Sequence, residues 1–103
     1  MDSADQAIPV HPGEILFDEY LVPMSLSGSV LAASIRVPQS RIYELISGQQ
    51  DITADTALRL AKYFGNPPQF WMNLQAKYEL AHARALAEDE IALIVPLAQV
   101  QRW

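Results

Sequence analysis

Prolines and glycines divide the middle of this sequence into short segments that each show the apolar spacing of an α-helix. Pro12 begins the first segment, and Pro23 ends it. Pro38 separates the next two, because the residue before a proline avoids helical backbone angles. Gly65 ends the fourth segment, and the fifth begins at Pro67-Pro68. This punctuation predicts an all-α domain of five helices with short connections.

Capping residues and apolar periodicity indicate where the helices begin and end. Ser27 and Thr53 are good N-caps, and Gly48 stands where a C-terminal glycine cap is expected. The predicted helices run from Pro12 to Pro23, over 28–35, over 38–47, from Thr53 to Gly65, and from Pro68 to about Ala87.

The C-terminal segment has a different pattern. Residues 91–97 are apolar and rich in β-forming side chains, and the acidic run 88–90 breaks the helical pattern before them. We expect an extended tail that packs on its own bundle or pairs with another chain, because a lone strand leaves its edge unpaired. The chain thus divides into a flexible arm over 1–10, a helix-turn-helix domain over 11–87 and a tail over 88–103, a candidate dimerisation segment.

Length and composition exclude several classes of protein. A chain of 103 residues has room for one domain. Cysteine is absent, which excludes disulfides, thiolate metal sites and cysteine nucleophiles and fits a reducing compartment. The apolar run from Ile91 to Val95 is too short to span a membrane, and the acidic N-terminus does not read as a signal peptide. We therefore expect a cytoplasmic protein without a membrane partner.

Residues suited to catalysis are few. His11 and His82 are the only histidines, and neither has a second ligand at metal-binding spacing. A solvated first helix explains Glu14, Asp18 and Glu19 better than acid–base chemistry, since no nucleophile motif accompanies them. A phosphate loop and a nucleophile elbow are both missing. We predict a protein that is not an enzyme and uses neither a metal nor a cofactor.

The fifth predicted helix is long for so small a domain. Phe70 and Trp71 could stack on a cofactor or a base, but their place on its periodic apolar face favours core packing. Its far end, with Leu80 and Leu86, would overhang the bundle. We therefore expect a two-fold homodimer built on the end of this helix and residues 91–97. A tail folded back onto its own bundle is the alternative.

The net charge of −5 is unusual for a protein that binds nucleic acid. The acid is concentrated, because residues 1–27 hold five acidic residues and no basic one. Residues 28–62 hold four basic and three acidic residues and are slightly positive. The acidic N-terminal quarter either keeps the domain in solution or meets a basic partner.

Two short helices joined by a tight turn, 28–35 and 38–47, have the lengths of a helix-turn-helix unit. Such a unit presents the N-terminal end of its second helix to the major groove, where glutamine can read adenine and arginine can read guanine. An αα-hairpin in a helical core is the alternative. The candidate DNA-binding residues are Arg36, Pro38, Gln39, Ser40, Arg41, Tyr43 and Glu44.

Several motifs occur together at specific separations: His11-Pro12-Gly13-Glu14-Ile15-Leu16, Val37-Pro38-Gln39-Ser40-Arg41-Ile42, Ile52-Thr53-Ala54-Asp55-Thr56-Ala57-Leu58-Arg59-Leu60-Ala61, Phe64-Gly65, Phe70-Trp71-Met72-Asn73-Leu74-Gln75 and Tyr78. Together they resemble the HigA family of antitoxins, within the Xre/Cro-type helix-turn-helix class. The resemblance covers about residues 9–87. It implies a dimeric repressor of its own operon that also silences a small basic HigB/RelE-type toxin, a ribosome-dependent mRNA-cleaving RNase. Residues 39–44 match the recognition-helix positions of the family.

Three departures from the family pattern bear on DNA affinity. Arg36 occupies a turn position that usually holds glycine, so it takes a strained angle or the turn differs. The loop after the recognition helix is commonly basic in the family but here reads Gly48-Gln49-Gln50-Asp51, which should weaken binding and flatten its salt dependence. The second helix starts at Ser27-Gly28-Ser29, without a long polar side chain. Two rival functions therefore remain: a toxin inhibitor that has lost DNA binding, and a stand-alone repressor without a toxin.

Overall fold

The computed structural model describes residues 9–100, so most of the arm expected over residues 1–10 lies outside the described residues. The elements are α1 (Pro12–Leu16), a π-helical segment (Phe17–Leu21), α2 (Gly28–Ile35), α3 (Gln39–Ile46), α4 (Ala54–Phe64), α5 (Pro68–Ala92) and α6 (Leu97–Val100). Between residues 9 and 100 the chain forms no strand. The predicted all-α fold and its first five helices are confirmed.

Side-chain caps explain where the helices begin. Ser27 Oγ accepts a hydrogen bond from the backbone N–H of Val30 at 3.1 Å, and Thr53 Oγ1 accepts one from Thr56 at 3.3 Å. These bonds satisfy backbone donors that have no partner inside the helix. At α1 the cap is His11, whose Nδ1 accepts from the N–H of Gly13 at 2.9 Å.

The core consists of apolar side chains from all five of these helices. Trp71 is fully buried, and its Nε1 donates to Asn66 Oδ1 at 2.9 Å, so the packing predicted for this residue is confirmed. Tyr20, Phe64 and Phe70 surround it with ring centroids 5.0–6.1 Å away. The buried apolar residues are Leu16, Leu21, Leu31, Ala32, Ile35, Ile42, Leu45, Ile52, Ala57, Leu60, Ala61 and Trp71.

Gly13 lets α1 lie directly against the end of α3. A Cβ built at this position would be 1.8 Å from the carbonyl oxygen of Leu45, so no larger residue fits without a backbone shift. The His11-Pro12-Gly13 motif therefore has two structural roles. It caps α1, and it allows that helix to support the C-terminal end of α3.

The C-terminal part of the chain differs from its prediction. The prediction of an extended strand over residues 91–97 is wrong. Helix α5 continues through Ala92, with non-helical backbone angles at Ala87 (φ −121°, ψ 16°), and α6 begins at Leu97. A lone strand would leave its backbone groups unpaired, whereas here the N–H groups of Leu93 and Ile94 bond to carbonyls three residues earlier. Residues 91–98 are all exposed, so they do not fold back onto the bundle.

Candidate nucleic-acid interface

The turn between α2 and α3 is held in a left-handed conformation at a residue that is not glycine. Arg36 has φ 66° and ψ 47°. The N–H groups of Arg36 and Val37 donate to the carbonyls of Ala33 and Ala32, at 3.3 and 3.0 Å, which closes the end of α2. Of the two outcomes expected for Arg36, the structure shows the strained angle. The side chain of Arg36 is exposed.

The side chain of Arg59 in α4 holds this turn through hydrogen bonds to its backbone carbonyls. Its Nη1 donates to the carbonyl oxygens of Ile35 at 2.9 Å and Arg36 at 3.2 Å. Its Nε donates to Asp55 Oδ2 at 3.0 Å, one helical turn away. Sequence reasoning did not assign Arg59 to the site, although the i,i+4 spacing of Asp55 and Arg59 could have indicated an ion pair.

Arg41 points toward α4 in this structure. Its Nη1 donates to Asp55 Oδ2 at 2.8 Å, on the oxygen that Arg59 also contacts. The hydrogen bond from Arg41, followed by the one from Arg59, lowers the pKa of Asp55 below its ordinary value. The bond uses one terminal nitrogen of Arg41, and a guanidinium carries five N–H donors, so others stay available to a base or a phosphate.

Tyr43 joins α3 to the N-terminal end of α2. Its hydroxyl lies 3.2 Å from Ser29 Oγ, and its ring covers Gly28 so closely that a Cβ there would be 2.9 Å from Tyr43 Cζ. The side chain is nevertheless 47% exposed. Tyr43 therefore presents a hydroxyl beside Ser29 at the start of α2, where sequence reasoning expected hydroxyls and backbone amides.

The first turn of α3 is the part of the helix-turn-helix unit whose side chains are exposed to solvent. Pro38 is its N-cap residue, and Pro38, Gln39 and Ser40 are all exposed. Glu44 lies one turn further on and is half-buried, and its carbonyl accepts hydrogen bonds that close the end of the helix. The structure thus brings four of the predicted residues together at the N-terminal end of α3: Arg36, Pro38, Gln39 and Ser40. The side chain of Arg41 instead contacts α4, and that of Tyr43 contacts α2.

The loop after α3 is anchored by a buried glutamine. Gln75 Oε1 accepts from the N–H of Ile52 at 2.8 Å, and its Nε2 donates to Glu79 at 2.9 Å. At the other side, His11 Nε2 lies 3.5 Å from Asp51 Oδ1. Gln49, Gln50 and Asp51 remain exposed, so an uncharged and acidic loop borders α3 where a basic one was the family expectation.

Charge near the turn is modestly positive. A groove of about 520 Å³ lies behind it and includes Arg36, Arg59 and Lys62 together with Asp55. The single carboxylate is shared by Arg41 and Arg59, so the surface keeps a small net positive charge. In the described part of the chain, no cluster of histidine, aspartate and glutamate could hold a metal ion, and no helix is long and apolar enough to cross a membrane.

Comparisons with known proteins agree with this geometry. The Helix-turn-helix family matches residues 19–71. The chain is 49% identical to virulence-associated protein I of Dichelobacter nodosus, over 86% of this chain and 82% of that protein. It is 36% identical to antitoxin HigA-1 of Vibrio cholerae, over 86% of this chain and 84% of that one. The solved structure of Pseudomonas aeruginosa antitoxin HigA with the higBA promoter superposes with a TM-score of 0.83 at 43% identity, covering 87% and 99% of the two chains.

Proposed function

Because the chain belongs to the HigA family of helix-turn-helix antitoxins, we propose that it represses its own operon by binding operator DNA and neutralises a small basic toxin. The observation that carries the DNA-binding half is the exposed first turn of α3, which follows a turn held by hydrogen bonds from Arg59. The likeness to an antitoxin solved with a promoter supports the same half.

We assign the base contacts to the first turn of α3. Gln39 can donate and accept at once, which suits the N6 and N7 atoms of adenine. Arg41 can offer its remaining N–H groups to guanine while Asp55 holds Nη1 in place. In this role Asp55 fixes the side chain before DNA arrives, so less rotamer freedom is lost on binding.

The backbone contacts surround that turn. Ser40 and the Tyr43 hydroxyl can donate to phosphate oxygens, and so can the exposed guanidinium of Arg36. Glu44 cannot favour phosphate, but its carboxylate can accept from the amino group of cytosine. The site has few free cations, because Arg41 and Arg59 share Asp55 and the following loop is uncharged or acidic. We therefore propose weak binding by a single subunit.

A homodimer would compensate for weak single-site binding. Two recognition helices related by a two-fold axis reach successive major grooves about one helical turn apart, on a pseudo-palindromic operator. The outer part of α5 and the residues after it offer a surface for this dimer, since Leu86, Leu93 and Ile94 are 77%, 77% and 68% exposed. We propose that the domain over residues 11–87 binds DNA and that the end of α5 around Leu86, with the segment from residue 88 onward, joins two subunits.

The toxin half is proposed from family membership and charge. A RelE-like toxin that cleaves mRNA must bind a polyanion, so its active surface is basic, and an acidic protein is suited to cover it. The five acidic residues among positions 1–27 supply that complement. The toxin expected is the product of a reading frame beside the gene for this chain.

The rival reading, a toxin inhibitor that has lost DNA binding, is favoured by the exposed loop Gln49-Gln50-Asp51. Titration of a labelled duplex from the promoter of this gene, against a scrambled duplex at several salt concentrations, decides between them. The proposed function predicts tighter binding to the promoter duplex, with two subunits per site. Equal, weak binding to both duplexes would instead support a toxin inhibitor that has lost specific DNA binding. Absence of a neighbouring toxin frame would favour the stand-alone repressor.

A further inference from the structure

An apolar groove opens where the π-helical segment meets the start of α2. It has a volume of about 290 Å³ and is lined by Phe17, Leu21, Val22, Ser25, Leu26 and Ser27. Phe17 and Val22 are 43% and 57% exposed, and neighbouring Met24 is 56% exposed. We propose that this groove, together with the exposed carboxylates of Glu14, Asp18 and Glu19, is the docking surface for a basic protein. The proposal rests on the toxin-binding half of the proposed function, because it takes the toxin to be that protein.

The backbone of this segment explains why apolar side chains are left exposed. The N–H of Val22 donates to the carbonyl of Phe17, and that of Leu26 to Leu21, each at 2.9 Å and each spanning five residues. These wide turns bury Leu21 but leave Phe17 and Val22 accessible. π-helical turns of this kind are frequently found at functional sites. Ser25, with φ 51°, lies in the turn that leads from this segment to α2.

Charge selects the kind of partner. Glu14 of α1 and Asp18 and Glu19 of the π-helical segment are exposed, and residues 12–27 contain no lysine or arginine. The ion pairs within residues 9–98 involve other carboxylates, those of Asp51 and Asp55, so these three are open to a cationic partner. DNA would be repelled by these carboxylates, and a second copy related by a two-fold axis would bring like charges together. A basic protein that inserts an apolar side chain between its cations fits both features.

The groove is composed of different residues from the DNA interface. It involves 17–27, whereas the proposed base contacts lie at Gln39 and Arg41. Promoter binding by a groove variant therefore reports that the fold is intact.

The test measures affinity for the product of the toxin frame adjacent to this gene, by calorimetry with the full chain. One variant removes charge, Asp18→Asn with Glu19→Gln, and another removes an apolar contact, Val22→Ser. Matched controls are Asp51→Asn with Glu79→Gln, and Leu58→Ser, which alter exposed residues outside the groove and outside the proposed dimer segment. We expect each groove variant to weaken toxin binding by about tenfold or more and each control to change it by less than about twofold, with promoter binding retained.

Hydrogen exchange of the complex gives an independent measurement. The proposal predicts slower exchange of backbone amides in residues 17–27 when the toxin is bound. Tight toxin binding that the groove variants do not weaken, with protection elsewhere, would overturn this surface and leave the proposed function standing. No toxin binding by the unaltered chain would overturn the toxin half of the function and this surface together.

Discussion

Arg41 and Arg59 lie on different helices, yet both donate a hydrogen bond to the same carboxylate oxygen of Asp55, at 2.8 and 3.0 Å. Arg59 also bonds the carbonyls of the turn between α2 and α3. One carboxylate thus links the recognition helix to α4, and Arg59 links α4 to the turn. The relative position of α2 and α3 depends on this network as well as on the apolar core.

Acid should weaken the Asp55 network. Because the arginines lower the pKa of Asp55 in the folded chain, its contribution to stability is complete above the ordinary pKa near 3.8 and is lost as the pH falls through the lowered value. We expect Asp55→Asn to reduce the melting temperature at pH 7, and the difference from the unaltered chain to shrink as the pH falls below about 4. A difference that does not shrink as the solution is acidified below that pH would contradict the assignment.

Replacing Arg36 separates strain from DNA contact. A left-handed angle costs an ordinary residue about 1–2 kcal/mol, partly offset because glycine loses more freedom on folding, so Arg36→Gly should stabilise the fold by up to about 1 kcal/mol. The same change removes a proposed phosphate contact and should reduce the salt slope of DNA binding by about 1. Arg36→Ala is the matched variant, because it keeps the strained angle without the guanidinium. Denaturant titration and DNA binding at several salt concentrations measure both effects; a destabilised Arg36→Gly protein would argue against relief of strain.

Gly13→Ala tests the close approach of α1 to α3. Helix propensity alone predicts that alanine stabilises a helix by about 0.5–1 kcal/mol over glycine. The Cβ would instead meet the carbonyl oxygen of Leu45, so we expect a loss of about 1–3 kcal/mol in the free energy of unfolding. Glu14→Ala, at the next and exposed position, serves as the control. A gain in stability for Gly13→Ala would show that the two helices do not meet as described.

Gln75→Ala tests the anchor of the loop after the recognition helix. The change leaves the N–H of Ile52 without its side-chain acceptor in a buried place, which costs about 1–3 kcal/mol. Glu79→Ala removes only the exposed partner of Gln75 and should cost less than about 1 kcal/mol. Chemical denaturation of the two variants measures the difference, and equal losses would mean that the Ile52 bond contributes little.

Sequence reasoning predicted much of the fold because the punctuation is local. Proline and glycine act on their own backbone angles, and Ser27 and Thr53 cap helices within three residues. It failed at residues 91–97, because β-forming side chains determine a strand only where a partner strand is present. It also missed the π-helical turns after Leu16, which leave no mark in apolar spacing.

The exposure of the candidate DNA-binding residues was predictable from the sequence, but the hydrogen bonds that hold them were not. The positions of Gln39 and Ser40 follow from helix periodicity, and both are exposed as expected. That Arg41 faces Asp55 fourteen residues away depends on how α3 packs against α4, which no single segment specifies. The same holds for Gln75, whose partner Ile52 is 23 residues distant.

The most direct test of the account compares Gln39→Ala with Gln69→Ala, an exposed glutamine on α5, in promoter and scrambled-duplex binding. If Gln39 reads a base, its loss should cost about 1–3 kcal/mol of discrimination, or about 5- to 150-fold in the ratio of the two Kd values, while Gln69→Ala leaves the ratio unchanged. An unchanged ratio for Gln39→Ala, with the fold intact, would contradict the claim that the first turn of α3 reads DNA.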